Sequence, residues 1–183
     1  MPPPDSEPLP SAAPSEREVF VSDEQSQFDI DLRRYAALAR AVLTAERVRI
    51  DAELSMTFVD EPTMADLHER FLGFEGPTDV LAFPMDEEIV EPGRQPDQGG
   101  RGPGAPPEPS DAPVMVGDVV LCPAVAARQA GEHGHPLEAE LDLLVVHGVL
   151  HLLDYDHEDD DEAAEMRRRE QQILESFRGA WSR

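Results

Sequence analysis

Lysine is absent from this chain of 183 residues, so all fifteen of its basic residues are arginine. Against them stand 39 acidic residues, for a net charge of −24. So large an acidic excess favours solubility and disfavours nonspecific attraction to phosphate backbones or anionic membranes. The single cysteine, Cys122, excludes an internal disulfide and fits a reducing compartment. It ends an apolar run far in sequence from the main histidine cluster, and reads as a small core residue rather than a nucleophile. No run approaches the ~20 apolar residues of a membrane span. The opening MPPPDSEPLPSAAPSE lacks the basic and apolar regions of a signal peptide. These absences predict a cytoplasmic protein with no membrane partner, and the length predicts one domain.

What the chain does contain is LDLLVVHGVLHLLDYDH, Leu141 to His157, which holds three of the six histidines. His147 and His151 are four apart, so on an α-helix their imidazoles share one face and can reach one metal. If the helix continued, ten residues at ~1.5 Å rise would carry His157 about 15 Å from His147. Zn–N bonds of roughly 2.0–2.1 Å need the three nitrogens close together, so the chain must turn back after about Leu153. Leu143, Leu144, Val145, Val146, Val149, Leu150, Leu152 and Leu153 make the segment apolar on nearly every face, as in a buried helix. Burial favours the neutral imidazole, the form that ligates metal. A lone histidine is most simply a surface or satisfied core residue, but three in this setting point to one zinc per chain, held by His147, His151 and His157. Three ligands leave a fourth position for a water whose pKa falls toward ~7, which makes hydrolysis the expected reaction class.

The remaining elements follow from pattern. Met1 to Arg17 holds six of the eighteen prolines and is expected to be a disordered tail, with the folded domain over 18–178. Val19 to Val21 reads as a strand. Leu32, Tyr35, Ala36, Ala39, Val42 and Leu43 form one helical stripe, with Arg33, Arg34, Arg40 and Arg47 off it on an expected solvated face. Glu53 to Phe58 alternates as a half-buried strand. A helix follows from Pro62 until Gly73 stops it, then a strand from Asp79 to Phe83. Twelve of the twenty-two residues from Pro92 to Pro113 are Pro or Gly, so 86–113 is expected to be a mobile loop joining two strands. Val114 to Leu121 is the second of these, with Gly117 a bulge or close-approach site. Three helices complete the chain: one from Pro123 to near Gly131, the histidine helix over Leu137 to Leu153, and a last one with Met166, Ile173, Leu174 and Phe177 facing inward. Eight carboxylates between Asp154 and Glu165 suit the positive end of that last helix. The order implies an α+β fold, one compact domain with a sheet of about four strands covered by helices and the metal site at the end of a buried helix.

Two hydrolase families place histidine ligands four and then six residues apart. In the metzincin protease pattern HExxHxxGxxH a glutamate beside the first histidine is the general base, and here that place is Gly148, which cannot move a proton. HGVLHLLDYDH more closely resembles the HGxLHLxGYDH signature of the YbeY family, the single-strand-specific endoribonucleases of bacterial rRNA maturation. GPTDVLAFP is similar to that family's PTDVLSFP segment, and GDVVLC at Gly117 to Cys122 is similar to its GDIVI strand. The resemblance implies a zinc-dependent endoribonuclease acting on single-stranded rRNA, at the small-subunit 3′ end and in ribosome quality control, with RNA and the ribosome or small subunit as partners. It carries the ligand roles to His147, His151 and His157. Either the metal's water or an RNA 2′-hydroxyl could attack phosphorus. Thr78 and Asp79 are candidates for the cleft wall, and Asp156 for a partner that orients a histidine. The chain departs from the family at Leu72, where many members carry arginine, and at Asp154, where the signature has glycine. The competing readings are a metzincin-like peptidase and a non-enzymatic ribosome assembly factor with structural zinc.

Overall fold

The alternation in AELSMTF decides one strand outright. Ala52, Leu54, Met56 and Phe58 are buried while Glu53, Ser55 and Thr57 between them are partly exposed. The computed structural model describes residues 17–85, 114–155 and 160–181. Its elements are β1 (Glu18–Asp23), α1 (Leu32–Ala45), β2 (Ala52–Phe58), α2 (Glu61–Leu72), β3 (Val80–Pro84), β4 (Val114–Leu121), α3 (Pro123–His133), α4 (Leu137–Leu152) and α5 (Asp160–Trp181). This is the expected order and the expected α+β class. The anticipated tail up to Glu16 and loop over 86–113 lie outside the described residues, as do Asp156 and His157. Among the described residues no helix is long and apolar enough to cross a membrane.

The four strands form one sheet in the order β1-β2-β4-β3. β1 and β2 are parallel, β2 and β4 are parallel, and β3 runs antiparallel to β4 at the edge. A parallel pair needs a crossover, which α1 supplies between β1 and β2. α2 starts on a capped turn: Asp60 accepts from Thr63 N at 3.0 Å, with Pro62 in the first turn. At its other end α2 stops on Gly73, which takes φ 74 as the left-handed cap.

α4 sits at the centre and packs on α1, α3, α5, β3 and β4. That position explains why it is apolar all round: Leu141, Val145, Val146, Val149, Leu150 and Leu152 are all at most 1% exposed. Fully burying a side chain of this kind stabilises by about 1.5–3 kcal/mol. Two glycines let the layers close. At Gly148 a Cβ would lie 2.8 Å from Val119 Cγ1 and 3.1 Å from Val80 Cγ2, so α4 approaches the sheet only because that residue has none. Gly117 takes φ 145, and a Cβ there would collide with the Phe83 carbonyl oxygen of β3. The expected irregularity is present beside it: Glu53 faces Met115 while Leu54 faces Gly117, so β4 carries one extra residue.

One expectation is corrected. Arg33 and Arg47 are exposed, but Arg34 is buried. Its Nη2 donates to both Asp142 oxygens of α4 at 3.0 and 2.7 Å, and its guanidinium lies 5.4 Å from the Phe177 ring of α5. Asp142 is isolated in the apolar run of α4, and pairing with it draws Arg34 inward. Burial, outweighing Arg34, pushes the Asp142 carboxyl above its usual range.

Candidate metal centre

His147 and His151 share one face of α4, as their spacing predicts. Their Nε2 atoms lie 3.1 Å apart and the rings meet edge to face at 4.5 Å. Behind them, His147 Nδ1 is 2.7 Å from Glu170 Oε1 of α5. A carboxylate only accepts, so the proton sits on Nδ1 and the Nε2 lone pair faces the cavity. Two atoms each bound at about 2.0–2.1 Å to a tetrahedral ion lie roughly 3.3 Å apart, so this pair fits a zinc-sized cation.

The cavity in front of them has a volume of about 400 Å³. Its polar lining is Asp79, Gln129, His133, Glu140, His147, His151 and Glu170, with no arginine among the described lining residues. Asp79, a candidate for the cleft wall, lines this cavity. Its carboxylate is held in place: Oδ1 accepts from Thr78 Oγ1 at 3.0 Å and from Val80 N at 2.8 Å, and Oδ2 accepts from Gln129 Nε2 at 3.0 Å. Thr78 reaches the cavity only through this bond.

The reversal needed after the helix is also present. Asp154 takes φ 63, the left-handed conformation that asparagine and aspartate tolerate better than most residues. Tyr155 N then donates back to Leu150 O at 3.1 Å, and Tyr155 Oη donates to the buried Glu46 at 2.9 Å. The chain is thus turned and anchored two residues before His157. The predicted third ligand and Asp156 themselves fall outside the described residues.

Leu72, at the end of α2, is 54% exposed. It borders a groove with Phe71, residues 80–84 of β3 and His151, so this position opens toward one of the two histidines. Cys122 is buried and caps α3 without a side-chain bond. Burial pushes its thiol up, which opposes any nucleophilic role.

Two sets of residues were not foreseen. Glu170 is one, although its signal is legible: it falls four residues after Met166 and three before Ile173, on the apolar stripe of α5, where a charged side chain needs a partner. The other set is His133, His135 and Glu140, whose ligand atoms lie within 4.8 Å of one another at the junction of α3 and α4. The run HGHPLEAE carries that spacing, but nothing in it shows that the three converge.

Residues 20–178 match the family model described as Endoribonuclease YbeY. A Rhodococcus jostii protein named Endoribonuclease YbeY is 49% identical over 159 residues, covering 87% of this chain and 81% of that protein. Its Frankia casuarinae namesake is 46% identical over 162 residues, covering 88% and 75%. The solution structure of TM1509 from Thermotoga maritima superposes with a TM-score of 0.57 at 25% identity, covering 90% of this chain and 91% of that one. With the family model spanning the sheet, all five helices' packing faces and the histidine segment, this chain belongs to the endoribonuclease YbeY family.

Proposed function

We propose that this chain is a zinc-dependent endoribonuclease that cuts single-stranded RNA at the His147 and His151 end of the cavity, acting in the cytoplasm on ribosomal RNA. The observation that carries this reading is the pair of Nε2 atoms 3.1 Å apart with Glu170 behind His147, in a chain whose relatives bear the endoribonuclease name. His147, His151 and His157 would hold the ion. The ion would supply Lewis acidity toward the phosphate and lower the pKa of a water.

The chain's own residues do the positioning. Glu170 keeps the His147 proton on Nδ1 and fixes the ring plane. Gly148 lets the helix carrying both histidines reach the sheet, so their side chains sit at the cavity wall. Asp79 is locked by Thr78, Val80 and Gln129 and presents a fixed carboxylate to the substrate side. The attacking oxygen is a water or the RNA's own 2′-hydroxyl. The groove beside Leu72 leads a strand toward His151 without offering it a positive charge. Gly148 lies where a protease of the competing class has its base, and its Cβ contacts leave no room for a glutamate.

The test pairs activity with metal. The purified chain should cleave single-stranded RNA in zinc and leave casein intact. His151→Ala should lose bound zinc and reduce cleavage by more than the roughly 10–100-fold typical of removing an outer partner. Equal RNA cleavage by wild type and His151→Ala would identify a contaminant and end the nuclease reading. In cells, depletion should disturb rRNA processing; rescue by His151→Ala would favour an assembly role without cleavage.

A further inference from the structure

We propose that His133, His135 and Glu140 form a second divalent-cation site on the same cavity, whose zinc-class ion offsets the charge of a neighbouring RNA phosphate. The phosphate role rests on the ribonuclease reading above; the cation site does not.

The site is built by a helix junction. α3 ends at His133, and Gly134 takes φ 74, reversing the chain so that the His133 and His135 rings come within 5.6 Å. Pro136 then starts α4, whose Glu140 turns back toward both rings with a side chain only 5% exposed. Glu140 Oε2 lies 2.9 Å from His135 Nε2 and 3.6 Å from His133 Nδ1. All three ligand atoms fall within 4.8 Å of one another, which small side-chain adjustments bring to the spacing of a tetrahedral ion.

The hydrogen bonding calls for a cation. His135 Nδ1 faces the Pro136 carbonyl oxygen at 3.3 Å, an acceptor, so the single proton of a neutral ring belongs there. Nε2 then turns a lone pair toward a carboxylate oxygen at 2.9 Å, two acceptors face to face. That oxygen is buried and has no hydrogen-bond partner, because the histidine approach is not aligned as a bond. A cation shared by the two ligand atoms would resolve this contact. A buried carboxylate oxygen left without a donor is costly, and a cation at that point removes the cost.

Charge on the cavity says what such an ion does. Asp79, Glu140 and Glu170 line it and no described lining residue is arginine, so a phosphate entering meets carboxylates. Glu140 and His147 are seven residues apart on α4, two turns of one face and about 10 Å. The ions of a two-metal mechanism sit about 3.5–4 Å apart, so this ion is not a second reaction centre. It is placed to hold charge on an adjoining nucleotide, the task left open by Leu72.

Zinc titrated into the metal-stripped full chain, read by calorimetry and by cobalt absorbance, tests the site. Wild type should take two equivalents. His133→Ala, an exposed position that leaves the fold intact, and Glu140→Gln should each take one, and adding His151→Ala should remove that one too. In Glu140→Gln, KM for single-stranded RNA should rise about tenfold with kcat retained. A single wild-type equivalent that survives both His133→Ala and Glu140→Gln overturns the site. A single equivalent lost in His133→Ala but kept in His151→Ala would uphold it while overturning the His147 and His151 centre. Two equivalents with KM unchanged in Glu140→Gln would overturn the phosphate role.

Discussion

Asp142 and Glu170 are both buried carboxylates that meet a basic partner across α4, and what surrounds the two pairs differs. Arg34 reaches Asp142 with both oxygens engaged, Arg178 approaches the same carboxylate at 3.5 Å, and the rings of Phe177 and Trp181 cover the guanidinium. The remaining Arg34 nitrogen Nε has no hydrogen-bond partner but is itself buried, out of a ligand's reach. Glu170 instead engages only one nitrogen of His147, and the other nitrogen faces a cavity of about 400 Å³. A buried charge whose partner is enclosed on every side sets the register of helices. One whose partner turns a second nitrogen toward another histidine at the edge of a cavity can do chemistry. The closed pair is also no simple stabiliser, since burial keeps Asp142 above its usual range even beside an arginine.

The largest expected effect breaks the closed pair. Arg34→Ala leaves Asp142 buried without its main counter-charge and should cost about 3–5 kcal/mol of stability, read from the denaturant midpoint. A cost below about 1 kcal/mol would mean Arg178 and solvent already compensate it. The open pair should respond in function instead. Glu170→Gln keeps an acceptor for His147 Nδ1–H but removes the charge, and should lower zinc affinity or RNA cleavage by about 10–100-fold while moving the melting temperature little. A large melting shift with zinc affinity intact would make Glu170 structural, and the two pairs would then be alike.

The smallest effect is a slope. Because the folded value of Asp142 is raised, its proton is bound more tightly in the folded chain than in the unfolded one. The contribution of this group is fully present below the unfolded value of about 3.9 and is lost as pH rises through the raised folded value. Stability of wild type relative to Asp142→Asn should therefore fall as pH increases from about 4. A relative stability that grows with pH would show that Arg34, not burial, controls the carboxylate.

Much of the fold was legible because its signals are local. The alternation over Glu53 to Phe58, the proline that opens α2 and the glycine that closes it, and the all-round apolar run of α4 each answer to backbone geometry within a few residues. Arg34 departs from its local signal for the opposite reason. Lying off the stripe of α1 suggested solvent, and only the arrival of α4, 108 residues later in sequence, supplied Asp142. Glu170 is one of many carboxylates, and only its place on the inward stripe of α5 sets it apart.

The sequence by itself determined that His147 and His151 share a helix face and that the chain reverses at Asp154. Helical periodicity and the left-handed preference of a few residue types act over one turn and need no tertiary context. Only the tertiary structure decided which nitrogen of His147 faces the cavity, because Glu170 lies 23 residues away on another helix. It also decided that His133, His135 and Glu140 converge beside the same space, since a helix junction sets directions that spacing along the chain does not encode.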